Sequence, residues 1–287
     1  MMRQAIGIDI GGTGVRGARV SADGEIIEHI GEATARSAAA VLAQADALIR
    51  RLDGPGVCAV GVGVPSRVDY KTARVFPGGY VDLSGPPLAS RLTAHGGRPL
   101  TCHNDATMAL VAEARVGAAR GCADVVMLTI GTGIGGAAML DGKIVHGKGT
   151  AGQLGHITVA HDGLACVCGR RGCLETMSSG TSLGRHIAEA GLAADTKAED
   201  LLTRTDAAAK AVLARWIGPL RSGIDSLVAS FDPDKLVLGG GLGHAACQAL
   251  AGFPEVTDWF HAEIVPAALG SKAGVIGAAL AALDEAA

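Results

Sequence analysis

The chain has 287 residues, a net charge of −3 and an apolar share of 48% with few aromatics, so its core is built from Ala, Val, Leu and Ile in one large domain or two modest ones. It has no basic block and no apolar run approaching the roughly 20 residues of a membrane span, which argues against a nucleic-acid partner and a membrane one. The 43 glycines show no collagen-like period and punctuate tight loops, while Cys58, Cys102, Cys122 and Cys247 lie scattered among apolar neighbours, as expected of a reduced, cytoplasmic protein.

Residues 5–10 (AIGIDI) read as a buried strand rather than part of a signal peptide. A Gly-Gly-Thr-Gly turn leads into a second strand, VRGARV, and Asp23–Gly24 marks a hairpin before a third, EIIEHI. Residues 36–52 carry apolar positions at helical spacing and stop before Gly54. VCAVGVGV is a strand ended by Pro65, 71–85 is loop-like, and 87–95 is a short helix. PLTCH is a strand running into Asn104–Asp105, where a helix starts. Aligning 5–20 with 125–140 superposes strand on strand and Gly11 on Gly131, and Asp141–Gly142 repeats the hairpin. That is an internal duplication. Helices follow residue 175, a long amphipathic one over 216–231 among them; then come the strand KLVL, Gly239–Gly241 and a closing helix over 273–283. The plan is α/β with two lobes, a cleft and two facing phosphate loops. The first lobe takes 1–105 with the C-terminal helix of about 272–287, the second 106–271.

A Gly/Thr hairpin between two strands exposes backbone N–H groups, and oriented amides in a concave turn make an anion nest. Gly11, Gly12 and Thr13 form one such turn; Gly131, Thr132 and Gly133 form the other. Asp9, at the end of the buried strand before the first turn, suits Mg²⁺ shared with phosphates. Both turns also satisfy G-x-G-x-x-G, but strand-like residues follow them instead of the helix a dinucleotide fold needs. No Walker A sequence is present.

His156, Cys166, Cys168 and Cys173 fall within eighteen residues, spaced C-x-C-x4-C with the histidine ten positions upstream. Three thiolates and an imidazole close a tetrahedral zinc shell, which makes such a metal structural. Gly169 and Gly172 fit the sharp turns this requires, and His161 is a spare fourth ligand. Ordinary cysteines or a redox disulfide are the competing readings.

The stretch GQLGHITV…CVCGRRGCLE, together with DIGGT, Asn104–Asp105, GTGIGG and the Gly239–Gly240–Gly241 turn, resembles the ROK family (repressors, open reading frames and sugar kinases) over nearly the whole chain. The resemblance implies the actin-like ATPase (ribonuclease H-like) fold, with ATP as phosphoryl donor, Mg²⁺, an inserted structural Zn²⁺ site and a homodimer. It implies that Asp105 is the base acting on a hexose or N-acetyl-hexosamine hydroxyl, with the Gly239–Gly241 turn under the adenosine. The helix start at Asp105 is expected to keep the carboxylate ionised and hence a weaker base. The acceptor side maps onto Asn104, Asp105, Gln153, His156 and Glu175, with Ser66 near the pocket. Gln153 replaces the family's usual glutamate, and Pro65–Ser66 its usual Pro-Gly. Those departures support an alternative, a catalytically weak or inactive sugar sensor. An actin-like structural or chaperone ATPase is a third reading, and polyphosphate an alternative donor. The repressor branch is disfavoured because the first strand begins almost at residue 1.

Overall fold

The computed structural model describes residues 3–287. In chain order its elements are β1 (Gln4–Ile10), β2 (Gly14–Ser21), β3 (Ile26–Ala33), α1 (Ala38–Leu52), β4 (Val57–Val64), β5 (Val68–Asp69), β6 (Arg74–Val75), β7 (Leu100–Asn104) and α2 (Asp105–Val116). There follow β8 (Val125–Ile130), β9 (Ile134–Leu140), β10 (Lys143–Ile144), α3 (Leu174–Ser178), α4 (Gly180–Glu189), α5 (Ala198–Thr203) and α6 (Ala207–Phe231). The last are β11 (Lys235–Gly239), α7 (Gly243–Leu250), β12 (Glu263–Pro266) and α8 (Ala273–Glu285). Among the described residues no helix is long and apolar enough to cross a membrane.

The chain divides into two compact units. Unit 1 takes the residues up to Gly121, Ile144–Ala151 and Ser271–Ala287; unit 2 takes Cys122–Lys143 and Gly152–Gly270. Unit 1 is built on a five-stranded sheet ordered β3-β2-β1-β4-β7, with β1–β2 and β2–β3 antiparallel and β1–β4 and β4–β7 parallel. Its central strands β1 and β4 are almost wholly buried, as continuous apolar runs covered on both faces must be. The Ala/Gly-rich α8 lies directly on them: a Cβ at Gly7 or Gly61 would fall on the Val275 or Ala278 carbonyl. α2 packs on α8. Residues 106–121 and 144–151, expected in the second lobe, group with unit 1 in this division.

Unit 2 repeats the arrangement with a sheet ordered β10-β9-β8-β11-β12, β8–β9 antiparallel and β8–β11 and β11–β12 parallel. The two sheets thus share a strand order. α6 is anchored to α3 by a reciprocal pair, Trp216 Nε1 donating to the Ser178 carbonyl and Ser178 Oγ to the Trp216 carbonyl, each at 2.7 Å.

Several elements depart from the sequence expectation, the helix expected over 216–231 among them, since α6 already begins at Ala207. The helix expected over 87–95 is a single 3-10 turn, Leu88–Ser90, because Asp46 Oδ1 draws the Thr93 and Ala94 amides away at 2.9 Å each. The loop expected over 71–85 contains the second strand of the small antiparallel β5–β6 hairpin, with Ala73 at φ 52° in its turn. β12 went unread because it is a short edge strand ending in proline, a position where the missing N–H costs nothing.

Candidate active site

In unit 1, β1 delivers Asp9 to the edge of the first hairpin, and its side chain stays only 14% exposed. Arg16, directly across the β1–β2 ladder, places Nη1 3.5 Å from Asp9 Oδ2. From the other side α8 begins against the same carboxylate, so closely that a Cβ on Gly274 would lie 2.7 Å from Asp9 Cγ. Burial raises the Asp9 carboxyl above its ordinary value, and Arg16 works against that rise.

Asp105 is the first residue of α2. Asn104 caps the helix, its Oδ1 accepting the Ala106 N–H at 3.0 Å, while its Nδ2 donates to the Ser66 carbonyl at 3.3 Å. The same side chain also hydrogen-bonds the Asp105 carboxylate. Ser66 is buried and its hydroxyl donates to the Gly78 carbonyl at 2.9 Å, so the hydroxyl hydrogen is committed to the loop. Burial pushes the Asp105 carboxyl up to about 7; the Asp9 charge adds to the rise, and the Ala106 amide and Asn104 side chain oppose it. Desolvation and a like charge outweigh the helix start, so the expectation of a strongly ionised, weak base is corrected.

In each hairpin the first amide is committed inside the turn, Gly11 N–H donating to the Gly14 carbonyl and Gly131 N–H to the Gly133 carbonyl at 2.9 Å each, so these two glycines do not offer the exposed amides expected of them, while neighbouring segments hold the turn carbonyls. In the first, Thr34 Oγ1 donates to the Gly11 carbonyl at 2.6 Å and the Thr34 N–H to the Thr13 carbonyl at 3.4 Å. In the second, in unit 2, the Gly180 N–H donates to the Gly131 carbonyl at 2.7 Å and Thr181 Oγ1 to the Thr132 carbonyl at 2.8 Å. Among the described residues the N–H groups of Gly12, Thr13, Thr132 and Gly133 have no internal acceptor. Such paired free amides suit an anion. The Tyr80 ring lies against Gly12. The turn after β11 sits at the root of the second hairpin: Gly240 has φ +78°, a Cβ there would fall on the Ile130 carbonyl, and the Leu242 N–H donates to that carbonyl at 2.9 Å. Gly241 faces open space.

The ligand atoms of His156, Cys166, Cys168 and Cys173 all lie within 4.8 Å of one another. Cys166 Sγ is 3.5 Å from His156 Nδ1, and Cys168 Sγ 3.6 Å from Cys173 Sγ. A tetrahedral zinc with ordinary bond lengths needs edges of about 3.6 Å for S···N and about 3.8 Å for S···S, so the donor set fits that ion. His161 is 98% exposed and lies outside the group, which corrects its standing as spare ligand. The three cysteines are not bonded to one another in this arrangement. The knuckle turns on Gly169 and Gly172 at φ +86° and +68°, and Arg170 ties it back to the His156 carbonyl and to Thr158 Oγ1. Gln153 caps the 3-10 turn that carries His156, and its side chain makes no hydrogen bond among the described residues. Glu175, in the first turn of α3, accepts the Ile134 N–H at 2.9 Å, just beyond the second hairpin.

Sequence reasoning missed Arg16, Gly274, Tyr80 and the start of α4 at Gly180–Thr181. Only Arg16 left a signal, at the strand position that must face Asp9 once the hairpin closes.

Residues 5–285 match the ROK family. The chain is similar to a glucokinase of Streptomyces coelicolor, 31% identical with 97% of each chain covered, and to an N-acetylmannosamine kinase of Vibrio cholerae, 30% identical with 96% of this chain and 98% of that one covered. Among solved structures it resembles a ROK family glucokinase from Streptomyces griseus in complex with glucose and AMPPNP, at a TM-score of 0.84 and 30% identity over 98% of this chain and 99% of the other. The chain belongs to the ROK family.

Proposed function

We infer that this protein is a carbohydrate kinase that transfers the terminal phosphoryl group of ATP to a hydroxyl of a hexose or N-acetyl-hexosamine. The observation that carries the reading is Asp105, a buried carboxylate at the start of α2, in the same unit as Asp9 and a hairpin of free amides. A base works best when its pKa lies near the working pH, and Asp105 meets that condition. Its part is to orient the acceptor hydroxyl and take its proton as the phosphoryl group is transferred, with Asn104 beside it at the acceptor. Phosphoryl transfer passes through a loose transition state, so most of the acceleration comes from positioning and neutralised charge. The Gly11–Thr13 and Gly131–Gly133 hairpins serve that purpose with backbone amides, and the Gly239–Gly241 turn takes the adenosine. Asp9 would hold Mg²⁺, a cation that typically binds one or two protein carboxylates and keeps several waters. The ion would supply charge neutralisation at the phosphates. Gln153, His156 and Glu175 make up the rest of the acceptor side, and the Cys3His group is a structural zinc site.

The common strand order of the two sheets supports the actin-like ATPase assignment. We take the protein to be a cytoplasmic homodimer. The test is ADP release coupled to glucose, mannose, N-acetylmannosamine and N-acetylglucosamine side by side. Turnover on one of them is expected; sugar binding without ADP release on any would favour a sensor, and ADP release indifferent to sugar would favour a bare ATPase.

A further inference from the structure

We propose that Glu175 is a positioning residue for the nucleotide, joining the Cys/His knuckle to the Gly131–Gly133 hairpin through Ile134. This rests on the reading above that the hairpin takes the nucleotide's phosphates.

Ile134 is the first residue of β9, immediately past the hairpin, and both of its backbone polar groups are gripped by the flanks of the knuckle. Its N–H donates to Glu175 Oε2 at 2.9 Å, two residues beyond the ligand Cys173. Its carbonyl lies under Gly155, one residue before the ligand His156, so closely that a Cβ on Gly155 would fall on it. A Cβ on Gly133 would likewise fall on Glu175 Oε2, so the carboxylate rests against the turn itself. The two flanks are one piece: Thr158 bridges to Cys173, and the Leu174 N–H donates to the Ile157 carbonyl at 2.9 Å. α3 is in turn fixed to α6 through the Ser178–Trp216 pair, and Leu174 packs on Gly223. Glu175 therefore reaches the hairpin from a rigid base, the condition for holding a site in a productive geometry.

A carboxylate next to an anion nest repels phosphate, so its contribution must come from the hydrogen bond it accepts. It takes the Ile134 amide out of play and aims the free amides of Thr132 and Gly133 outward. A glutamine keeps the acceptor oxygen and drops the charge. An alanine drops both.

The experiment is calorimetric binding of Mg·ATP to the full chain without sugar, for wild type, Glu175→Gln and Glu175→Ala, alongside hydrogen exchange of the 131–136 segment. Glu175→Ala is expected to weaken nucleotide binding about tenfold, the scale of a lost charge-assisted hydrogen bond, and to speed exchange. Glu175→Gln is expected to bind as tightly as wild type or more so, with exchange unchanged. Metal removal by a chelator should reproduce the alanine result in both readouts. Where alanine does not fold, Glu175→Met keeps the bulk without the acceptor. Unchanged sugar-free affinity and exchange in the alanine variant, with only the sugar KM raised, would overturn the proposal and leave Glu175 on the acceptor alone. Equal losses in the glutamine and alanine variants would overturn it too. A wild type that binds no nucleotide would instead sink the kinase reading, and exchange at the hairpin would still decide whether Glu175 holds it.

Discussion

Replacing Asp105 by asparagine should stabilise this protein at alkaline pH while stopping its chemistry. Burial and the Asp9 charge raise the Asp105 carboxyl from 3.8 to about 7. Below pH 4 the folded and unfolded states both hold the proton, and the group costs nothing. Between pH 4 and 7 the folded state keeps a proton that the unfolded state has lost, so stability falls as pH rises. Above pH 7 the whole penalty is in force: a shift of about 3 units at 1.36 kcal/mol each, or about 4 kcal/mol as a ceiling. Asparagine keeps the shape, and its side-chain oxygen can still accept the Ala106 N–H that Asp105 Oδ1 accepts at 2.8 Å. At about 2 °C per kcal/mol for a chain this long, the variant should melt up to about 8 °C above wild type at pH 8. The gap should close towards pH 4.5. The assay is a thermal melt across pH 4.5–8.5 without nucleotide, sugar or divalent ion. Equal melting temperatures at pH 8, or a gap that does not depend on pH, would refute the claim that this carboxylate is held against its own charge. In the same variant turnover should drop about 10²–10⁴-fold with nucleotide affinity retained.

Other outcomes follow from the same geometry. In wild type, kcat/KM should rise with pH through about 7 as Asp105 loses its proton, and a profile flat from pH 5 to 8 would count against it as base. Gly274→Ala puts a methyl against the Asp9 carboxylate and should cut turnover at least about tenfold with little change in melting temperature; unaltered Mg²⁺ dependence would argue that Asp9 is not displaced. Gly240→Ala combines a left-handed φ with a collision at the Ile130 carbonyl and should cost about 1–3 kcal/mol, read in a melt, along with nucleotide affinity. Elemental analysis should find one zinc per chain, lost in Cys173→Ser and kept in His161→Ala; zinc lost from the His161 variant would reverse the ligand assignment.

Much of the fold was legible because its signals are local. β1 and β4 announce themselves as apolar runs, and the turns at 11–14 and 131–133 by their glycines. The Cys/His spacing is short enough that chain connectivity alone nearly brings the ligands together. Elements whose form depends on distant partners were misread. The segment 87–95 looks helical by itself, and only Asp46, more than forty residues earlier, uncoils its end. β12 has too little sequence of its own to declare a strand without β11 beside it.

By itself the sequence determined which chemistries were available: carboxylates after strands, amides in glycine turns, thiolates and an imidazole at metal spacing. Only the tertiary structure decided their strengths and attachments. It set the Asp105 pKa, because desolvation and the Asp9 field depend on what is packed around a group rather than on its neighbours in the chain. It likewise joined Asp9 to Gly274 and Ile134 to Glu175, pairs separated by hundreds and tens of residues, which no spacing rule reaches.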